Sequence, residues 1–306
     1  MNPSVRVDFI QRSLPTETRI QTPEVYKKCR DASNSYALAE ESRQMKLISE
    51  ALAASGNSIL SPSAIEFYGP SDTRFWEDPS LSFPSADSAA TGVYAMTRVY
   101  PLSSVLRAKL IDLFCPPNLQ ESARASLRKG HHLARLLLGR PENADRSAPQ
   151  RFFNTYNFPL TRGRAERLGI NVSLLSGEMG RMLAQFHMTA KNDARDIEIV
   201  LGANILPYSP VPLRRQRREP RVWVLDFNQV RDFDFTESQI PSLVDAFFTN
   251  EAYFPRARPT DPLYKIFSEA YIKECDKIGE IAGQLGRKFV HALEKEQVLR
   301  DTAREE

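Results

Sequence analysis

The stretch "NVSLLSGEMGRMLAQFHMTAKNDARDIEIVLG", residues 171–202, changes its hydrophobic period twice, and those changes decide what kind of fold to expect. Leu175, Met179, Met182, Leu183 and Phe186 recur at three- and four-residue spacing, which predicts a helix with one apolar face ending near His187. "KNDARD" is polar and turn-like, and "IEIVLG" then alternates as a strand does. Beyond it, "RRQRREPRVWVLDFNQV", residues 214–230, sets five arginines within eight residues against an apolar strand that ends in Asp226, Phe227 and Asn228. A carboxylate delivered by four consecutive apolar residues must be partnered or used, because leaving it bare away from water is costly.

Outward from this centre the chain reads in two parts. Residues 1–100 form a small mixed α/β lobe: "LAEESRQMKLISEALAASG", 38–56, predicts a helix that stops at a glycine, and "GVYAMTRVYPL", 92–102, predicts a strand that ends at a proline. Residues 101–306 form a mainly helical lobe. "SSVLRAKLIDLF" and "ESARASLRKGHHLARLLLG" both read as helices, the second with His131 and His132 on its surface. "QIPSLVDAFFTN" and a long amphipathic stretch from Leu263 to about Leu299 continue the pattern, so that two short β segments sit between helices.

Composition narrows the function classes. The 306 residues are 42% hydrophobic and 26% charged, enough apolar material for one large domain or two lobes. With 41 Lys plus Arg against 38 Asp plus Glu, the net charge of +3 does not suggest a nucleic-acid coat, so a basic surface must come from local clustering. Cys29, Cys115 and Cys275 are far apart and lack any C-x-x-C, which gives neither a disulfide framework nor a zinc site and points to a reducing compartment. No signal-like start and no run of 18 apolar residues is present, so a cytoplasmic protein without membrane contact is expected.

The order of elements carries a chemical signal. A helix ending at His187, an Asp-led turn with an acidic residue five positions on, a short strand, and later an apolar strand ending in Asp-Phe follow the layout of kinase-like catalytic lobes. Asp193 then stands at the catalytic aspartate, Glu198 at the metal-binding asparagine and Asp226 at the metal-binding aspartate of D-F-G. The expected fold is α+β, two-lobed and protein-kinase-like, close to the aminoglycoside phosphotransferases. "VYKKC" offers Lys27 or Lys28, and the following helix offers Glu40 or Glu41, for the pair that clamps phosphates. No glycine precedes Gly56, however, so no Gly-rich loop is available to cover ATP in the expected place, and Asn228 replaces the glycine of D-F-G.

At "FHMTAKNDARDIEIVLG", "VWVLDFNQV" and "LVDAFFTNEAYFPR", with looser likeness at "VYAMTRVYPL", the sequence resembles a fungal family labelled "zinc finger protein". Members of that family look like the arginine-containing cyclodipeptide synthases. The resemblance implies synthesis of an arginine-containing cyclic dipeptide from arginyl-tRNA and a second aminoacyl-tRNA, without ATP, metal or other cofactor. It departs at His187-Met188, where an aromatic residue is expected after the histidine.

That activity suits the residues. Arg214, Arg215, Arg217, Arg218 and Arg221 supply cationic charge for tRNA phosphates, or else a solvated charged loop. Ester aminolysis needs a general base for the attacking amine, and a cationic arginine side chain needs a carboxylate. Asp193, Asp196, Glu198 and Asp226 are candidates for both roles, although a turn cap or structural ion pair is the plainer reading of some. Asn228 and His187 are candidate substrate contacts, although a satisfied core histidine is the plainer reading of His187. A small-molecule phosphotransferase and a pseudokinase-type binding protein remain as alternatives.

Overall fold

The computed structural model describes residues 7–10, 24–29, 31–77, 91–126, 132–140, 153–205 and 218–305. They form an α+β protein with two four-stranded sheets. The first sheet comprises β1 (Val7–Ile10), β2 (Glu24–Cys29), β3 (Ala64–Tyr68) and β4 (Val93–Thr97), ordered β1-β2-β4-β3 with every pairing antiparallel. Between β2 and β3 runs α1 (Ser35–Ser55), which packs on the sheet through Leu38, Met45, Ile48 and Leu52 and ends where Gly56 turns left-handed at φ 64°. The short α2 (Thr73–Trp76) adds Phe75 to a small aromatic cluster with Tyr26 and Tyr68.

After β4 come α3 (Ser104–Phe114) and α4 (Gln120–Ser126), then β5 (Ala134–Leu137) and β6 (Phe158–Thr161). Next are α5 (Arg162–Leu168), α6 (Val172–Met188), β7 (Glu198–Ile205) and β8 (Arg218–Leu225). The chain closes with α7 (Ile240–Thr249), α8 (Pro262–Ile278) and α9 (Glu280–Glu305). The second sheet is ordered β6-β5-β7-β8, with β5 and β6 parallel and the rest antiparallel. β7 and β8 pair over their full length, from Glu198 opposite Leu225 to Ile205 opposite Arg218, so Glu198 and Asp226 emerge at the same end of the ladder. Backbone bridges from Leu60 to Trp223 and from Tyr100 to Ala203 tie this hairpin to the first part of the chain.

A single hydrophobic cluster runs from Cys29, Leu38 and Ile48 through Met182 and Phe186 to Phe289 and Leu293, so both sheets share one core with the helices. Within it α6 packs closely against α8. A Cβ at Gly180 would lie 2.2 Å from Phe267 O, which explains why glycine occupies this buried helical position.

Three sequence expectations change. The apolar run before Gly139 is not the end of a helix: Ala134–Leu137 is the strand between β6 and β7. Short apolar runs carry no decisive period, and the two neighbouring ladders settle the matter. His132 is 4% exposed, with Nδ1 2.9 Å from Thr155 Oγ1, and is no surface residue; His131 lies outside the described residues. The stretch from Leu263 to Leu299 is two helices, broken at Gly279, whose φ of 157° an L-residue rarely adopts.

Candidate functional site

Asp226 ends β8 in a left-handed conformation at φ 63°, while the next residue, Phe227, is buried in the core. A non-glycine residue in this region is strained by roughly 1 kcal/mol or more and persists only where its surroundings hold it. Lys191, Ala194 and Asp196 are also left-handed, at φ 55°, 52° and 54°. The two loops that carry the candidate carboxylates are therefore strained together.

Opposite Asp226 stands a buried ion pair. Lys27 on β2 donates from Nζ to Glu41 Oε1 at 2.6 Å, and Tyr94 on β4 donates to the same oxygen at 3.2 Å. Lys27 and Glu41 face each other because β2 feeds α1 through a short connection, and the first turns of the helix lie back across the sheet. Burial pushes the Asp226 carboxyl up to about 6; Lys27 opposes the shift, while Glu41, Glu198 and Asp196 reinforce it. Among the described residues, no hydrogen bond or close ion pair engages the Asp226 carboxylate. Lys27 is matched by Glu41 and Arg135 by Glu198, which leaves the carboxylates of Asp226 and Asp196 in excess.

The other predicted carboxylates separate by role. Glu198, at the start of β7, lies 3.5 Å from Arg135 Nη2 on β5 and accepts from Tyr253 Oη at 3.4 Å. Arg135 also donates to Tyr253 Oη from Nη2 at 2.5 Å and from Nε at 3.2 Å. Burial pushes the Tyr253 phenol up to about 12, with Arg135 holding it down and Glu198 pushing it higher. Asp196 accepts from Gln229 Nε2, which joins the two strained loops. Asp193 is 6% exposed, and its Oδ1 receives the backbone N–H of Arg195 at 3.1 Å and of Arg231 at 3.0 Å. Its remaining oxygen faces Arg195 Nε at 3.3 Å, so both oxygens of Asp193 are engaged in bracing the loops.

His187 is in the core. It is 1% exposed, with Nδ1 2.8 Å from Tyr271 Oη and the rings of Phe233, Phe235 and Phe289 around it, and burial pushes its pKa down to about 3. This leaves no face for a substrate, so of its two readings the structure agrees with the core histidine and not with a substrate contact. Asn228 is exposed beyond Phe227. Arg214, Arg215 and Arg217 lie outside the described residues; Arg218 begins β8, and Arg221 is exposed with Nη2 3.1 Å from Glu219 Oε2.

Three site residues escaped the sequence reading. Tyr94 lies in the strand of 92–102 with nothing to mark it among its apolar and aromatic neighbours, Arg135 in a run that reads as helix, and Tyr253 in a turn with no period of its own. The signal for Tyr253 was an aromatic residue just after the amphipathic helix, in "TNEAYFPR".

A family model described as "Zinc finger protein" matches residues 222–282, from β8 through α7 and α8 into α9. No curated protein and no solved structure matches the chain. Among the described residues, no three His, Cys, Asp or Glu side chains group as a metal site requires, and all three cysteines are buried and unbridged. No described helix is long and apolar enough to cross a membrane.

Proposed function

We propose that the protein is an aminoacyl-tRNA-dependent cyclodipeptide synthase that takes arginine as one of its two residues and is built on a kinase-like, two-lobed scaffold. The observation that carries this reading is the charge of the cleft. Glu41, Glu198 and Asp196 lie close enough to Asp226 to push its carboxyl up, and Lys27, which opposes them, is already matched by Glu41. Such a site repels a bare triphosphate and attracts a guanidinium, which a carboxylate can grip through two N–H groups.

The scaffold follows from the same residues. An antiparallel sheet with a helix between its second and third strands, a strand lysine paired to that helix, and an aspartate at the end of a later strand support the kinase-like reading. Aminoacyl esters arrive already activated, so the reaction needs no ATP.

The chemistry is two ester aminolyses. In each, an α-amine forms an N–C bond to the neighbouring carbonyl, the ester C–O bond breaks, and a proton passes to the departing ribose oxygen of the tRNA. Asp226 is the base that takes the amine proton, because a carboxyl near 6 is ionised at neutral pH and still basic enough to accept it. Glu198, steadied by Arg135 and Tyr253, holds the arginine side chain. A cytoplasmic setting, where charged tRNA is available, goes with this activity.

One observation favours a second reading: the Lys27–Glu41 pair is the one that clamps nucleotide phosphates in phosphotransferases. A lysate containing amino acids, tRNA, ATP and the purified protein separates the two. The synthase yields a cyclic dipeptide that disappears when ribonuclease is added; product that survives ribonuclease rejects it.

A further inference from the structure

Outside the cleft, α3, α4 and α5 carry Lys109, Arg124, Arg162 and Arg167 beside Asp112, Glu121 and Glu166. Two of the acids are already taken. Asp112 pairs with Arg124, and Glu166 with Arg162, which also reaches Asp261 at 3.2 Å.

Two cations are fixed in place without being neutralised. Lys109 Nζ on α3 donates to Leu168 O at the end of α5 at 3.0 Å, and Arg167 Nη2 on α5 donates to Leu113 O near the end of α3 at 2.8 Å. A carbonyl oxygen orients an ammonium or guanidinium but leaves its whole charge in place, and an arginine held this way keeps further N–H donors for an anion.

Aromatic rings complete the surface. Arg167 lies over Phe114 at 4.8 Å, Arg164 over Phe158 at 5.4 Å, and the two rings stack at 5.5 Å across the joint between α3 and β6. Two residues before Phe158, Tyr156 is 56% exposed. Guanidiniums ordered in advance lose less entropy on meeting phosphate, and an exposed ring offers a face to an unstacked base.

We infer that the α3–α5 face binds the phosphodiester backbone of tRNA, as a second cationic surface besides the arginines of residues 214–221. The inference rests on the aminoacyl-tRNA reading and extends it, since it names where the polyanion is held. Structural capping alone would account for the carbonyl bonds, but it would give this face no part in RNA affinity or its salt dependence.

Binding of unfractionated, uncharged tRNA to the full chain, followed by fluorescence anisotropy over a salt series, provides the test. Lys109→Gln with Arg167→Gln is expected to weaken binding about five- to tenfold and to reduce the salt slope by about one to two units, beyond what any drop in melting temperature accounts for. Glu166→Gln, which removes an exposed negative charge from the same helix, should tighten binding about two- to threefold at low salt. Unchanged affinity and slope in both variants overturns the surface, as does a face that binds phosphatidylserine vesicles but not tRNA. Ribonuclease-sensitive product formation would still stand if only the surface failed; its absence would instead remove the synthase reading.

Discussion

Asp226 combines a strained backbone with a buried position and an excess of neighbouring carboxylates, and the last two make its ionised form expensive. Its folded pKa of about 6 lies above the ordinary aspartate value of 3.8, so the folded state holds the proton more tightly than the unfolded chain does. Stability from this group is complete below about pH 3.8 and is lost as pH rises through about 6. Asp226→Asn should therefore raise the melting temperature measured at pH 7, by the equivalent of about 2 kcal/mol, while lowering turnover about 100-fold or more. Wild-type turnover should climb through about pH 6 and level off above it, as a base with that pKa requires. A melting temperature that falls in the variant, or turnover that stays intact, would remove Asp226 from this role.

Lys27 is the opposite case at the same scale. It neutralises Glu41 in a buried pair and is the charge that restrains the Asp226 shift. Lys27→Met leaves Glu41 buried without its partner, at a cost of about 3–5 kcal/mol in denaturant unfolding. It should also move the rise in the pH–activity profile upward, because the remaining neighbours all push Asp226 the same way. A profile that stays in place would show that Lys27 does not act on Asp226.

At the scale of elements, the segment after β8 is strapped to α1. Arg43 donates to Asp232 at 2.6 Å and Gln44 donates to it at 2.9 Å, while Asp232 forms a backbone bridge with Asn192 beside the Asp193 turn. The strap joins the helix that bears Glu41 to the loops that bear Asp226 and Asp196. The Arg43–Asp232 pair is solvent-exposed, so Asp232→Ala should cost no more than about 1 kcal/mol in stability. Turnover should fall by more than that loss explains, since misplacing a base by about 1 Å can cost a factor of about 100. Equal small losses in both measurements would mean that the strap only holds the fold together.

For the whole molecule, what the sequence made legible was what repeats or stands out locally. The period of α6, the helix that stops at Gly56 and the apolar strand that delivers Asp226 could all be read from neighbouring residues. The Lys27–Glu41 pair could be narrowed to four combinations, but only the turn of α1 over the sheet selects one of them. What could not be read depends on distant partners. Asp193 is occupied by the backbone of Arg231, 38 residues away, and β5 is a strand only because β6 and β7 flank it. Arg135, Tyr253 and Glu198 come together from three separate parts of the chain, and none has a local pattern to announce it.

The central claim is that an anionic cleft around Asp226 accepts arginine from arginyl-tRNA and needs no nucleotide to use it. Purified protein should be supplied with tRNA charged with labelled arginine and with the other amino acids, in the absence of ATP, and the products separated by chromatography. The account predicts a labelled cyclic dipeptide that forms without ATP and is lost in Asp226→Asn. Free labelled arginine as the only product, or a cyclic dipeptide that appears only when ATP is added, would contradict it.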